Sequence, residues 1–190
     1  RHDSGACRRA TPVTKESVRV NHRSSNPIEI DPDLTLSLLR DMVRIDSVLP
    51  HERELAVYIA TQLETWGLPA RLDEVVEGRP NVYASFPMDA SRPFLVYSGH
   101  SDTVPAAADW QTNPLEPVEQ AGCLHGLGAI NMKAGLACML SAFKAFADAY
   151  RARRLGPVAG TLGLAITVDQ EGHSLGANAL LGTKYGECDA

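Results

Sequence analysis

A histidine and an aspartate stand two residues apart where an apolar stretch of the sequence stops. The stretch Phe94-Leu-Val-Tyr-Ser98 reads as a buried strand, and Gly99-His100-Ser101-Asp102 follows it directly. An imidazole can transfer protons or bind a metal ion, and a neighbouring carboxylate can orient it. Taken alone, however, a His-x-Asp pair is more often structural than functional.

Two further segments place polar residues where elements are predicted to end or begin. The run Leu162 to Val168 leads into Asp169-Gln170-Glu171-Gly172, and GLGAINMKAG, residues 126–135, leads into a long amphipathic helix. Ligand crevices of open α/β sheets lie beyond the carboxyl ends of the strands. Asn131 lies near the helix start, where backbone N–H groups are free. The three segments together are harder to explain as structural coincidence than any one of them.

Each segment also has an alternative explanation. Asp169 and Glu171 could simply cap the helix that follows them. The glycines of residues 126–135 could form a phosphate-binding loop, although their spacing matches neither G-x-G-x-x-G nor G-x-x-x-x-G-K-S/T. His125 and His173 are interpreted as loop residues, and His51 as an exposed residue at a helix start.

Apolar periodicity predicts interleaved helices and strands. Asp31-Pro32 predicts the start of a first helix, a second helix follows Pro50 and ends at Gly67, and residues 105–125 read as a long surface loop. The remaining predicted elements are strands at about 70–76, 82–86, 94–98 and 162–168, and helices at about 133–150 and 174–181. This order favours an α/β fold, with a mainly parallel sheet and helices on both faces.

Composition limits the class of protein. Residues 1–27 carry six basic and two acidic side chains, a net charge of +4, whereas the whole chain has a net charge of −5. That segment is interpreted as a disordered basic leader, and the acidic body argues against nucleic acid as a partner. No apolar run is long enough to cross a membrane. The four cysteines are scattered, which fits a cytoplasmic protein with reduced thiols.

The three segments in this order resemble one family of zinc metallopeptidases and amidohydrolases. It includes acetylornithine deacetylase, succinyl-diaminopimelate desuccinylase, aminoacylase and carboxypeptidase G. Its pattern reads roughly G-H-x-D-x-V-P, then G-R-G-x-x-D-M-K-G-G, then D-E-E. The present chain has GHSDTVP, GLGAINMKAG and DQE at these places, and the resemblance extends from about Leu34 to the last residue.

The resemblance implies a role for each matching position. His100, Asn131 and Glu171 occupy metal-ligand positions, and Asn131 stands where the family has an aspartate that bridges two zinc ions. Asp102 is then the carboxylate that orients His100. Gln170 stands where the family has the glutamate that takes a proton from water. The implied cofactor is zinc, with cobalt or manganese as substitutes, and the implied fold is that of a zinc aminopeptidase.

Two of these positions depart from the family in ways that matter chemically. Asn131 offers one carbonyl oxygen but no charge to balance two dications, and Gln170 has no basic site. General-base catalysis contributes on the order of 10²–10⁴ in rate. We therefore expect impaired activity and at most weak, single-site zinc binding. Leu127 and Ala134 also replace an expected arginine and an expected glycine.

The resemblance also sets expectations about domains and partners. Residues 28–190 are expected to be the N-terminal portion of a metallohydrolase catalytic domain that is incomplete at its C-terminus. Another carboxylate ligand, a lid or dimerisation domain, and a segment with the last histidine ligand would follow. The implied substrate is a small N-acyl amino acid or peptide, and a homodimer is expected only with that lid domain. A catalytically inactive relative that keeps the scaffold for binding or association is the open alternative.

Overall fold

The computed structural model describes residues 28–88 and 92–190. The predicted leader, residues 1–27, lies outside the described residues, and its disorder stays a prediction. The helices are α1 (Pro32–Arg44), α2 (Arg53–Thr65), α3 (Ala134–Arg151) and α4 (Leu175–Leu180). The strands are β1 (Ala70–Val76), β2 (Arg79–Pro87), β3 (Phe94–His100), β4 (Val118–Gln120), β5 (Cys123–His125) and β6 (Thr161–Thr167).

Helix α1 begins where its cap was predicted. The Asp31 carboxylate accepts the N–H groups of Asp33 at 2.9 Å and Leu34 at 3.2 Å, and proline occupies the first turn. One side of the helix is buried and faces α3, through Leu38, Leu39, Met42 and Val43. The cap and the apolar stripe therefore fix both the start and the orientation of α1.

Four strands form the central sheet, in the order β1-β2-β6-β3. Helices α2 and α3 lie on one face, where the main core includes Leu164 and Ile166 of β6. On the other face α4 contacts β6, and Tyr185 packs with Tyr83 and Phe94. The α/β architecture with helices on both faces is confirmed.

The expectation of a mainly parallel sheet was wrong in its strand directions. Strands β1 and β2 are antiparallel, as are β2 and β6, and only β3 and β6 run parallel. The two residues Glu77-Gly78 join β1 to β2, with Gly78 at φ +75°, and so short a connection joins antiparallel strands only. The parallel strands β3 and β6 are instead joined by a long connection that contains α3.

The predicted loop at 105–125 contains a small hairpin. Strands β4 and β5 pair antiparallel through Gln120 and Cys123, and both turn residues, Ala121 and Gly122, have positive φ. This backbone conformation suits the twist of a two-residue hairpin. No described helix is long and apolar enough to cross a membrane.

Candidate active site

The parallel pairing of β3 and β6 places two of the three polar segments at one edge of the sheet. His100, the last residue of β3, is in register with Thr167, the last residue of β6. The pairing continues one residue further, because the N–H of Ser101 donates to the carbonyl oxygen of Thr167 at 2.9 Å. The side chain of His100 and the loop that starts at Asp169 therefore lie next to each other at this edge of the sheet.

Asp102 connects His100 to that loop. Its carboxylate is fully buried and accepts the N–H of Gln170 at 3.0 Å and the N–H of Glu171 at 2.7 Å. The same carboxylate lies 3.4 Å from Nδ1 of His100. Burial by itself would raise the pKa of Asp102, but the hydrogen bonds from His100 and from the two amide groups bring it below its usual value.

Asn131 brings the third segment to the same place. Its Oδ1 lies 3.2 Å from Nε2 of His100, and its Nδ2 donates a hydrogen bond to Oε1 of Glu171. Oε1 of Glu171 in turn lies 3.8 Å from Nε2 of His100. If the Asn131 amide were rotated by half a turn, its oxygen would face the Glu171 carboxylate, and two acceptors would meet. The hydrogen bonds to His100 and Glu171 therefore determine the orientation of the Asn131 side chain.

A kinked turn at 129–133 carries Asn131 to this position. The backbone of Asn131 and Met132 is not helical, and the peptide bond between them is cis. Met132 packs against β3: a Cβ atom on Gly99 would lie 2.9 Å from Cε of Met132, and the N–H of His100 contacts the Met132 sulfur at 3.3 Å. Any side chain at position 99 would require the end of the Met132 side chain to shift.

Lys133, which matches the lysine of the family pattern but is given no role by it, anchors the same turn. Its side chain is buried, and its Nζ donates to the carbonyl oxygen of Ile45 at 2.9 Å. Burial lowers the pKa of Lys133 to about 8, and the nearby charge of Asp46 acts in the opposite direction. The anchor ties the end of α1 to the turn that presents Asn131.

Both ring nitrogens of His100 face acceptor atoms. Nδ1 lies 3.1 Å from the carbonyl oxygen of Asp102, and Nε2 faces the oxygens of Asn131 and Glu171. Only the doubly protonated imidazolium can donate on both sides. The hydrogen bond to Asp102 raises the pKa of His100 above its usual value and outweighs burial, which acts in the opposite direction. In the imidazolium form, the proton on Nε2 would occupy the place that a metal ion would take.

The donor set at the site comprises one imidazole, one carboxylate and one amide oxygen. Two oxygens lie within 4 Å of Nε2 of His100: Oδ1 of Asn131 and Oε1 of Glu171. Imidazole and carboxylate are ordinary zinc ligands, whereas the amide contributes an oxygen without charge. Among residues 28–88 and 92–190, no group of three or more His, Cys, Asp or Glu side chains could hold a metal ion.

The other candidates occupy different environments. The side chain of Gln170 is exposed, and only its backbone N–H reaches Asp102. His51 and His125 are exposed, and the side chain of His173 is 88% exposed. Asp169 does contact the helix that follows it, because its Oδ2 accepts the N–H of His173 at 2.8 Å and that of Leu175 at 3.4 Å.

Comparisons of the sequence agree with the resemblance. Residues 96–190 match the family described as peptidase family M20/M25/M40. A succinyl-diaminopimelate desuccinylase of Methylobacterium radiotolerans is 34% identical over 155 residues, which cover 79% of this chain and 38% of that protein. The same enzyme of a Janthinobacterium species is 31% identical over 140 residues, covering 73% and 35%. The chain thus spans well under half the length of these relatives.

Solved structures share the fold. Human carnosine dipeptidase 1 superposes with a TM-score of 0.63 at 24% identity, covering 78% of this chain and 34% of that one. The aminopeptidase PepT of Bacillus cereus gives 0.63 at 22% identity, covering 80% and 40%. The metallo-carboxypeptidase Sso-CP2 of Sulfolobus solfataricus, an M20 family member, gives 0.60 at 22% identity, covering 70% and 30%.

Proposed function

The chain belongs to the M20/M25/M40 peptidase family, and on that premise we propose that it carries the N-terminal part of a zinc-dependent amide hydrolase. One observation carries the proposal: His100, Asn131 and Glu171 converge where β3 and β6 end and α3 begins. The substrate class we propose is an N-acyl amino acid or a small peptide. The desuccinylase and dipeptidase names of the relatives support this class.

We assign the residues as follows. His100, through Nε2, and Glu171, through its carboxylate, would hold zinc, and the Asn131 carbonyl oxygen would be a neutral third donor. The chemistry that a bound zinc ion supplies is Lewis-acid polarisation of the amide carbonyl and activation of water. Asp102 accepts a hydrogen bond from Nδ1 of His100, which would leave Nε2 free as the ligand atom.

Gln170 occupies the general-base position but cannot act as a base. An amide side chain can donate and accept hydrogen bonds but cannot take up a proton at neutral pH. The site as it stands would therefore bind and orient a substrate better than it would move the proton. The relatives carry hydrolase names, so the comparisons give no support to the alternative of a scaffold kept only for binding.

Zinc binding tests the proposal. We expect one weakly held zinc ion per chain. Only the imidazole of His100 and the carboxylate of Glu171 are strong zinc ligands, and the third donor, the Asn131 amide oxygen, carries no charge. The affinity should rise with pH, since zinc must displace the proton from His100, whose pKa is raised. Below that pKa the affinity should fall about tenfold per pH unit, as expected when one proton is displaced.

Equilibrium dialysis with metal analysis from pH 5.5 to 8.5 gives this measurement. His100→Gln should abolish the binding, whereas His173→Gln, which changes an exposed histidine, should leave it unaltered. Two tightly held zinc ions per chain would contradict the assignment of Asn131 as a neutral, poor ligand. Retention of binding in His100→Gln would place the metal elsewhere.

A further inference from the structure

Three side chains that lie far apart in sequence form a buried ion triad behind the candidate site. Arg79, the first residue of β2, lies between Glu52, just before α2, and Asp169, just after β6. Their side chains are 13%, 0% and 5% exposed. The guanidinium bonds Glu52 through two nitrogens, with Nε to Oε2 at 2.8 Å, and reaches Oδ1 of Asp169 at 2.8 Å.

Asp169 links the triad to the loop that carries Glu171. Its second oxygen, Oδ2, accepts the N–H groups of His173 and Leu175. The Asp169 side chain therefore connects Arg79 to the end of the loop, where α4 begins. The backbone of Asp169 has φ +65°, an uncommon conformation for a residue with a side chain. Gly172 lies directly against the carboxylate, because a Cβ atom there would stand 2.8 Å from Oδ1. The loop is thus wrapped around the Asp169 carboxylate.

Two buried carboxylates hold Gln170 and Glu171 between them. Asp102 accepts the backbone N–H groups of both residues, and the Asp169 carboxylate accepts the N–H of His173, two residues beyond Glu171. Two carboxylates share one guanidinium in the triad, and removing that cation would leave both uncompensated. Breaking such a buried pair is strongly destabilising because a charge remains without a partner.

An ion pair that served only to join α2 to β2 would need Glu52 and Arg79 alone. The additional bond to Asp169 is what links this pair to the loop beyond β6. We propose that Arg79 is a positioning residue: the Glu52–Arg79–Asp169 triad holds the 169–171 turn so that the Glu171 carboxylate faces His100. The proposal rests on the proposed function only in that Glu171 is taken as a metal ligand.

Amide hydrogen exchange and zinc affinity, measured on the same proteins, test this role. Asp169→Asn leaves the Glu52–Arg79 pair in place but keeps only one acceptor oxygen for Arg79 and for the N–H groups of the loop. Arg79→Lys keeps the charge but loses the geometry that bonds both carboxylates. We expect both variants to exchange the Gln170 and Glu171 amides at least tenfold faster. Their zinc affinity should fall tenfold or more, the range found for partners that orient metal ligands.

A neighbouring arginine supplies the matched control. Arg53 forms an ion pair with Glu74, also between α2 and the β1–β2 hairpin, but this pair is half exposed and does not contact the loop. Arg53→Met should change neither the exchange of residues 170–171 nor the zinc affinity. Urea denaturation of each protein separates a local effect from a loss of global stability.

The outcomes separate the two proposals. If Arg79→Lys and Asp169→Asn lower global stability but leave loop exchange relative to α3 unchanged, the triad is only structural and the positioning role is refuted. If the unaltered chain binds no zinc, the proposed function fails. The exchange rates of the Gln170 and Glu171 amides would still decide whether the triad positions the loop.

Discussion

A polypeptide of residues 1–190 should show no hydrolysis of N-acyl amino acids, even after Asn131→Asp and Gln170→Glu restore both missing carboxylates. The first substitution would supply a negative charge beside Nε2 of His100, and the second a base in the loop held by Asp102. A catalytic zinc normally has about three protein ligands and an open position. The described ligands all approach from the ends of β3 and β6 and the start of α3, so the metal would be held from one side.

Fusion to the matching C-terminal part of a relative should separate the two causes of inactivity. The family resemblance implies that this part supplies the remaining carboxylate and histidine ligands. We expect the fused protein with both repaired positions to recover turnover. The fused protein that keeps Gln170 should be slower by about 10²–10⁴, the contribution of a general base.

The assay is release of free amino acid from a panel of N-acetyl and N-succinyl substrates with added zinc. It compares the unaltered chain, the doubly repaired chain, and the fused proteins with and without the repairs. His100→Ala in the active fusion should abolish turnover and serves as the control for contaminating hydrolases. Zinc-dependent turnover by the unaltered chain, lost on His100→Ala, would contradict the impairment argument and make Gln170 dispensable.

Asp102→Ala should lower the free energy of unfolding by about 3–5 kcal/mol, the range for breaking a buried ionic contact by removing one partner. The buried carboxylate accepts two backbone N–H groups and faces the imidazole, and hydrogen bonds to charged groups are worth about 1.5–3 kcal/mol each. A loss of this size is a large part of the 5–15 kcal/mol that stabilises a typical domain. The pKa of His100 should fall, because Asp102 is the main reason that it is raised.

Urea denaturation at pH 6 and an NMR titration of the His100 ring measure the two effects. Asp102→Asn is the matched variant, because it keeps the shape of the side chain and one acceptor oxygen while removing the charge. It should lose less stability than Asp102→Ala but lower the pKa of His100 in the same direction. A loss below about 1 kcal/mol, well under the range expected for a buried partner, together with an unchanged His100 titration, would contradict the role assigned to Asp102.

Local patterns were sufficient to predict most elements of the fold. The cap at Asp31 and the apolar spacing placed α1, and the glycine after an apolar run placed the end of β3 at Ser98, two residues before its end at His100. These signals act within a few residues, so a single sequence contains them. Strand direction in the sheet was not accessible in the same way, and the Glu77-Gly78 hairpin was not recognised.

The supporting residues behind the site were beyond sequence reasoning. Arg79 meets Glu52 across 27 positions and Asp169 across 90, and no periodicity links residues at such distances. Lys133 lies in the family pattern, but its hydrogen bond to the carbonyl oxygen of Ile45 exists only once the turn at 129–133 has folded. A glycine such as Gly99 is visible in the sequence, but its reason, the packing of Met132, exists only in the folded chain.

We propose that His100 and Glu171 form one side of a metal centre. Anomalous diffraction at the zinc edge, from crystals of the chain soaked in zinc at pH 8, tests it most directly. We expect one principal anomalous peak, about 2.0–2.2 Å from Nε2 of His100 and from a carboxylate oxygen of Glu171. A principal peak bound elsewhere, for example at the exposed His125 or His173, with Nε2 of His100 still bonded to Asn131, would contradict it.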